Sequence, residues 1–191
     1  NIVLGAICIG LTERTAALVE RLIPAAPTAQ DESRARHLDP HALPTPSLAL
    51  TYAAREALRI GDFVEQMLAA LGRLMQDNHR ASADEIRRLD DVVDSLYKQV
   101  KFYLTQVSRT PMGERESRKW TDIISFTINL EQVGDIIEKS ANDVVSKNIE
   151  RNRNFSDAGR QELCDLHARL VANLRLAMNV FINNDVNDAE K

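Results

Sequence analysis

A chain of 191 residues can bury one sizeable core, which points to one domain with at most an appendage. Aromatics at 5%, seven glycines and an abundance of Ala, Leu, Arg, Glu and Asp suit long helices, and no run alternates as a sheet strand would. The net charge of −4, with Lys and Arg scattered, excludes nucleic acid as the main partner, while Cys8 and Cys164, without metal-type spacing, fit a reducing compartment.

The chain opens at Asn1 without a methionine, so it is expected to be a fragment or a processed product. Ile2 to Leu11 is almost wholly apolar but too short to cross a bilayer, which takes roughly 20 residues. Residues 1–23 therefore read either as the end of a membrane helix or as a short buried segment. No basic region precedes the run, which argues against a signal peptide. Residues 24–46 hold every proline except Pro111 and read as a solvated linker. His37 and His41 are spaced i, i+4, but Pro40 and Pro44 beside them break the helix a metal pair would need.

Thr45-Pro46 supplies an N-cap followed by proline at the first helical position. A first helix from there carries the seam Leu50, Ala53, Ala57, Ile60, Val64, Met67, Leu71 and Leu74 and ends between Asp77 and Ser82. The second is expected to start near Ser82, where Ser82 and Glu85 have capping-box spacing, and its seam is Ile86, Leu89, Val93, Leu96, Val100, Leu104 and Val107. A third runs from about Glu114 to about Asn148, with Trp120, Ile123, Leu130, Ile137 and Val144 inward. Ser156-Asp157 can cap a fourth, with Leu163, Leu166, Leu170, Leu174, Ala177 and Phe181 as its apolar positions. Val64 aligns with Val171 and Met67 with Leu174, so the fourth helix reads as the start of a second, incomplete copy of a three-helix unit. The fold class is all-α, an antiparallel helical bundle.

On the third helix Glu131, Asp135, Glu138 and Asn142 form one polar stripe between apolar residues. On the second, Asp90 and Asp94 lie one turn apart beside the core seam. Each acidic pair is followed four residues on by a lysine, Lys98 or Lys139. A partly desolvated carboxylate must find a proton, a basic partner or a cation. One reading pairs Asp94 with Lys98 and Asp135 with Lys139 and leaves Asp90 and Glu131 to water. The other brings Asp90, Asp94, Glu131 and Asp135 together around hard cations in a helical bundle. A ferritin-type di-iron site is excluded, since no histidine here follows a glutamate by three residues. Nor does any grouping of nucleophile, base and orienting residue suggest an enzyme.

Leu130-Glu131-Gln132-Val133-Gly134-Asp135 and the helical tail after it resemble the third-helix signature of PhoU-like phosphate regulators, and Asp90 to Asp94 is similar to the acidic motif on that family's preceding helix. The resemblance implies repeated three-helix units and makes Asp90, Asp94, Glu131 and Asp135 candidate metal ligands. The ions could be divalent or trivalent, iron, zinc, manganese, magnesium or calcium. Asn1 to Pro24, His37 to Pro40 and Leu48 to Arg59 are similar to the junction that joins such a domain to a type II sodium/phosphate cotransporter. On that resemblance, residues 47–191 are a PhoU-like regulatory, metal-binding domain at the cytoplasmic face of the plasma membrane. Its expected partners are the transmembrane part of the same transporter and a second copy in a homodimer. The alternatives are a free-standing PhoU-type regulator of a phosphate-uptake system and a purely structural helical interaction domain.

Overall fold

Among the described residues four long helices carry the fold, and their order and bounds follow from the spacing of apolar side chains. In the computed structural model, residues 32–77, 80–150 and 155–183 are described. The expectation of a membrane-proximal helix in residues 1–23 lies outside them, as does the first part of the proline-rich stretch. Helix α1 is Pro46–Asp77, α2 is Arg80–Val107, α3 is Glu114–Val144 and α4 is Asp157–Asn183. No strand occurs among the described residues.

Every seam residue expected in α1 and α2 is buried, from Leu50 through Leu74 and from Ile86 through Val107. Full burial of a Leu, Ile, Val or Met side chain contributes about 1.5–3 kcal/mol, so these two seams dominate the core. From α3 the core takes Ile123, Thr127, Leu130, Ile137 and Ala141. The buried Thr127 hydroxyl donates to the Ile123 carbonyl at 2.7 Å and so needs no other partner. Trp120 is half-buried, and its indole donates to the Leu104 carbonyl of α2 at 2.9 Å. Lys119 meets Thr51 near the starts of α3 and α1, and the Gly134 backbone faces Met67 further along. Thus α1 and α3 run parallel while α2 runs against both.

Helix α1 begins at Pro46 as expected, with the Thr45 carbonyl accepting from Leu48 and Ala49. Helix α2, by contrast, is already formed at Arg80, and Ser82 is buried within it. Glu85 is drawn into a 2.7 Å pair with Arg73 of α1 rather than a capping box. At the start of α3 the Gly113 backbone N–H donates to Glu116 Oε2 at 2.9 Å, and beyond Val144 the chain widens into one π-helical turn, Val145–Ile149. Ser156 Oγ accepts from the Gly159 N–H at 3.1 Å, which caps α4.

The fourth seam is met only in part: Leu174 and Phe181 pack on the core, whereas Leu166, Leu170 and Ala177 are exposed. Leu166 and Leu170 are 54% and 45% exposed, and no residue of α4 is fully buried. The helix lies along α1 on Val171, Leu174 and Phe181, with the Phe181 ring stacked on Phe126 of α3 at 4.1 Å between centroids. Two glycines of α1 receive its other inward side chains, Met178 at Gly61 and His167 at Gly72. Because notches rather than apolar bulk set the contact, the inward stripe contains His167, which a hydrophobic pattern does not select.

Residues 33–45 also depart from the expectation of a solvated linker. Pro40–Ala42 forms a single 3-10 turn capped by Asp39, whose carboxylate accepts from the His41 N–H at 2.8 Å. The Ser33 carbonyl accepts from Ser95 and Gln99, and Tyr103 donates to the Asp39 carbonyl at 2.8 Å. Side chains of α2 therefore meet the backbone polar groups of this segment, and it is held as a strap across the bundle.

Candidate metal centre

The two acidic pairs face each other because α2 and α3 are antiparallel neighbours whose seams interlock. Ligand oxygens of Asp94, Glu131 and Asp135 all lie within 4.8 Å of one another. Oxygens on opposite sides of one calcium ion, at 2.3–2.6 Å each, are at most about 5 Å apart, so the three fit a single coordination sphere. An all-carboxylate donor set suits a hard cation and leaves positions for water. Asp94 and Glu131 are half-buried and Asp135 is exposed, which places the cluster at the surface of the bundle.

Electrostatics within the cluster is only partly balanced. Lys98 reaches Asp94 at 3.1 Å, as one sequence reading expected. The companion pair of Lys139 with Asp135 does not form, and among the described residues neither Glu131 nor Asp135 has an ion-pair or hydrogen-bond partner. Burial, then the charges of Asp135 and Asp94, raise the Glu131 carboxyl above its usual range against the opposing pull of Lys101 and Lys98. A cation here would relieve repulsion that the protein leaves in place.

Asp90 stands apart from the three. Its Oδ1 lies 3.4 Å from the Cβ position that Gly134 lacks, an ordinary van der Waals distance, so Asp90 faces the Gly134 backbone where α2 and α3 approach. Burial first, then Glu138, Asp135, Asp94 and Asp91, push the Asp90 carboxyl up to about 6. The remaining stripe residues are occupied by Arg87, which lies 4.0 Å from Glu138 and 3.2 Å from the Asn142 side-chain oxygen.

Sequence reasoning passed over a second charged centre. Glu56 of α1 is fully buried, and its Oε2 accepts from the backbone N–H groups of Arg36 and His37 and lies 2.9 Å from His37 Nδ1. Arg59 donates to its Oε1 at 2.7 Å. Burial pushes this carboxyl up, but the His37 N–H, the Arg59 guanidinium, the His37 ring and the Arg36 N–H together outweigh it and hold the group below its usual range. The signal was present, since Glu56 sits between Ala53, Ala57 and Ile60 on the inward side of α1. His37 is thus bound to a carboxylate, and His41 lies exposed on the 3-10 turn.

Residues 57–144 match the sequence profile of the PhoU domain. Over all 191 residues the chain is 38% identical to the "Putative inorganic phosphate export protein YjbB" of Escherichia coli K12 and 39% identical to the protein of that name from Salmonella typhimurium, covering 35% of each. The protein of the same name from Escherichia coli O157:H7 is 42% identical over 165 residues, 30% of its length. The chain thus spans about a third of the length of these curated relatives. No solved structure matches it. No described helix is long and apolar enough to cross a membrane. With the bundle and its paired acidic motifs in place, residues 57–144 are a PhoU domain, within a chain homologous to the carboxy-terminal part of these relatives.

Proposed function

We propose that this chain is the regulatory, cation-binding domain of a phosphate transporter of the sodium/phosphate cotransporter kind, acting at the cytoplasmic face of the membrane on the transmembrane part of the same protein. The observation that carries the reading is the convergence of Asp94 from α2 with Glu131 and Asp135 from α3, without a basic partner on the last two. A cation there ties α2 to α3, and Asp90 beside them adjusts the local charge with pH. No chemistry is assigned to the domain; its output is a change in the bundle face offered to the transporter or to a second copy.

The relatives support the transporter context over a free-standing regulator, because their name refers to inorganic phosphate export and the chain spans about a third of their length. A purely structural bundle is supported by one observation, the Asp94–Lys98 pair, which neutralises one of the three ligands. Phosphate flux through the full-length protein in proteoliposomes separates the readings. Under the proposal the Asp94→Ala/Glu131→Ala variant inserts normally and its flux no longer responds to added divalent cation. An unchanged response overturns the regulatory reading.

A further inference from the structure

Where the strap crosses α1 there is a hollow of about 440 Å³, lined by Arg36 and His37 from the strap and by Arg55, Arg59, Asp62 and Phe63 from α1. Part of this wall is fixed. Arg59 donates to Glu56 and, at 2.8 Å, to the Arg34 carbonyl, and its guanidinium lies 5.4 Å from the centre of the Phe63 ring. Arg36 and Arg55 differ from it, since both are exposed and among the described residues neither side chain has an ion-pair or hydrogen-bond partner.

The facing negative charges are few. Glu56 is already occupied by His37, Arg59 and two backbone N–H groups. Asp62 is the other, and burial, then the charge of Glu65, raise its carboxyl despite Arg59 nearby. Three arginines therefore face two carboxylates, one of them already neutralised at the floor of the hollow, and the excess is positive. Arginine presents a planar fork of donors that matches phosphate oxygens.

We propose that this hollow is a phosphate-oxyanion site, in which Arg55 of α1 and Arg36 of the strap grip one phosphate group from two sides. Because the two arginines belong to different segments, a bound phosphate reinforces the attachment of the strap that Glu56 makes from below. The site uses none of the carboxylates on α2 and α3 and stands whether or not those bind a cation. Inorganic phosphate and the phosphomonoester headgroup of phosphatidic acid present the same chemistry.

Two binding measurements on the 191-residue chain, both with chelator present and at constant ionic strength, test the site and separate its sources. One titrates inorganic phosphate through the millimolar range by calorimetry; the other measures co-sedimentation with phosphatidylcholine vesicles with and without phosphatidic acid. Saturable binding is expected in at least one arm, weakened roughly tenfold or more by Arg36→Gln and by Arg55→Gln, each shown to be folded by circular dichroism. Arg115→Gln, an exposed arginine of α3, should leave it unaltered. Absence of saturable binding in both arms, or binding that both glutamine variants retain, overturns the proposal.

Discussion

The ring of His167 lies over Gly72, with its Nε2 donating to the Leu68 carbonyl at 2.8 Å, and this contact sets the register of α4 on α1. Met178 at Gly61, Arg175 with Glu65 at 2.6 Å and Gln76 beside Cys164 keep the same antiparallel alignment. A Cβ at position 72 would stand 2.9 Å from the His167 ring. Gly72→Ala gains about 1 kcal/mol of helix propensity in α1 but displaces the ring, which costs about 1–3 kcal/mol. Amide hydrogen exchange across α4 should therefore accelerate while α1 and α2 keep their protection. Unchanged exchange in α4 would show that the notch does not hold it.

Glu56 fastens the strap from inside the core. Glu56→Gln leaves the volume in place but removes the charge that His37, Arg59 and two backbone donors converge on, and it should cost about 2–4 kcal/mol at neutral pH. Because the folded protein holds this carboxyl below its usual 4.5, the stabilisation is present above that pH and is lost as pH falls further. Urea melts should show a wide gap between native protein and variant at neutral pH that narrows as pH falls below 4.5.

Asp90 has the opposite sign. Its folded value of about 6 lies above the usual 3.8, so ionisation works against the fold. The penalty is absent below 3.8, grows as pH rises and is complete above about 6. In chelator, Asp90→Asn should raise the melting temperature at neutral pH and leave it nearly unchanged near pH 4. A variant less stable than native protein at neutral pH would mean that the charge of Asp90 is compensated by groups other than those named.

How far the fold could be read in advance varied with what drives each element. Seams built from Leu, Ile, Val and Met burial were legible in α1 and α2 down to single residues, because apolar transfer dominates there and leaves a strict helical period. Helix α4 was legible only in part: its cap at Ser156 and its inward Leu174 and Phe181 followed from pattern, whereas the glycine notches filled by His167 and Met178 did not. The strap was also missed: proline-rich composition describes a chain without helix, but it says nothing of backbone groups satisfied by Ser95, Gln99 and Tyr103 some 60 residues away. In the acidic cluster, spacing placed both pairs on facing helices. It could not separate Asp90, turned towards Gly134, from the three that converge, because that depends on how α2 and α3 interlock.

The central claim is that Asp94, Glu131 and Asp135 hold a cation, and metal content measures it most directly. Protein purified without chelator and washed to remove loosely held ions is compared by elemental mass spectrometry with the Asp94→Ala/Glu131→Ala variant prepared identically. Bound divalent or trivalent metal in native protein, at or near one ion per chain and lost in the variant, is the predicted result. Equally negligible metal in both proteins would contradict it.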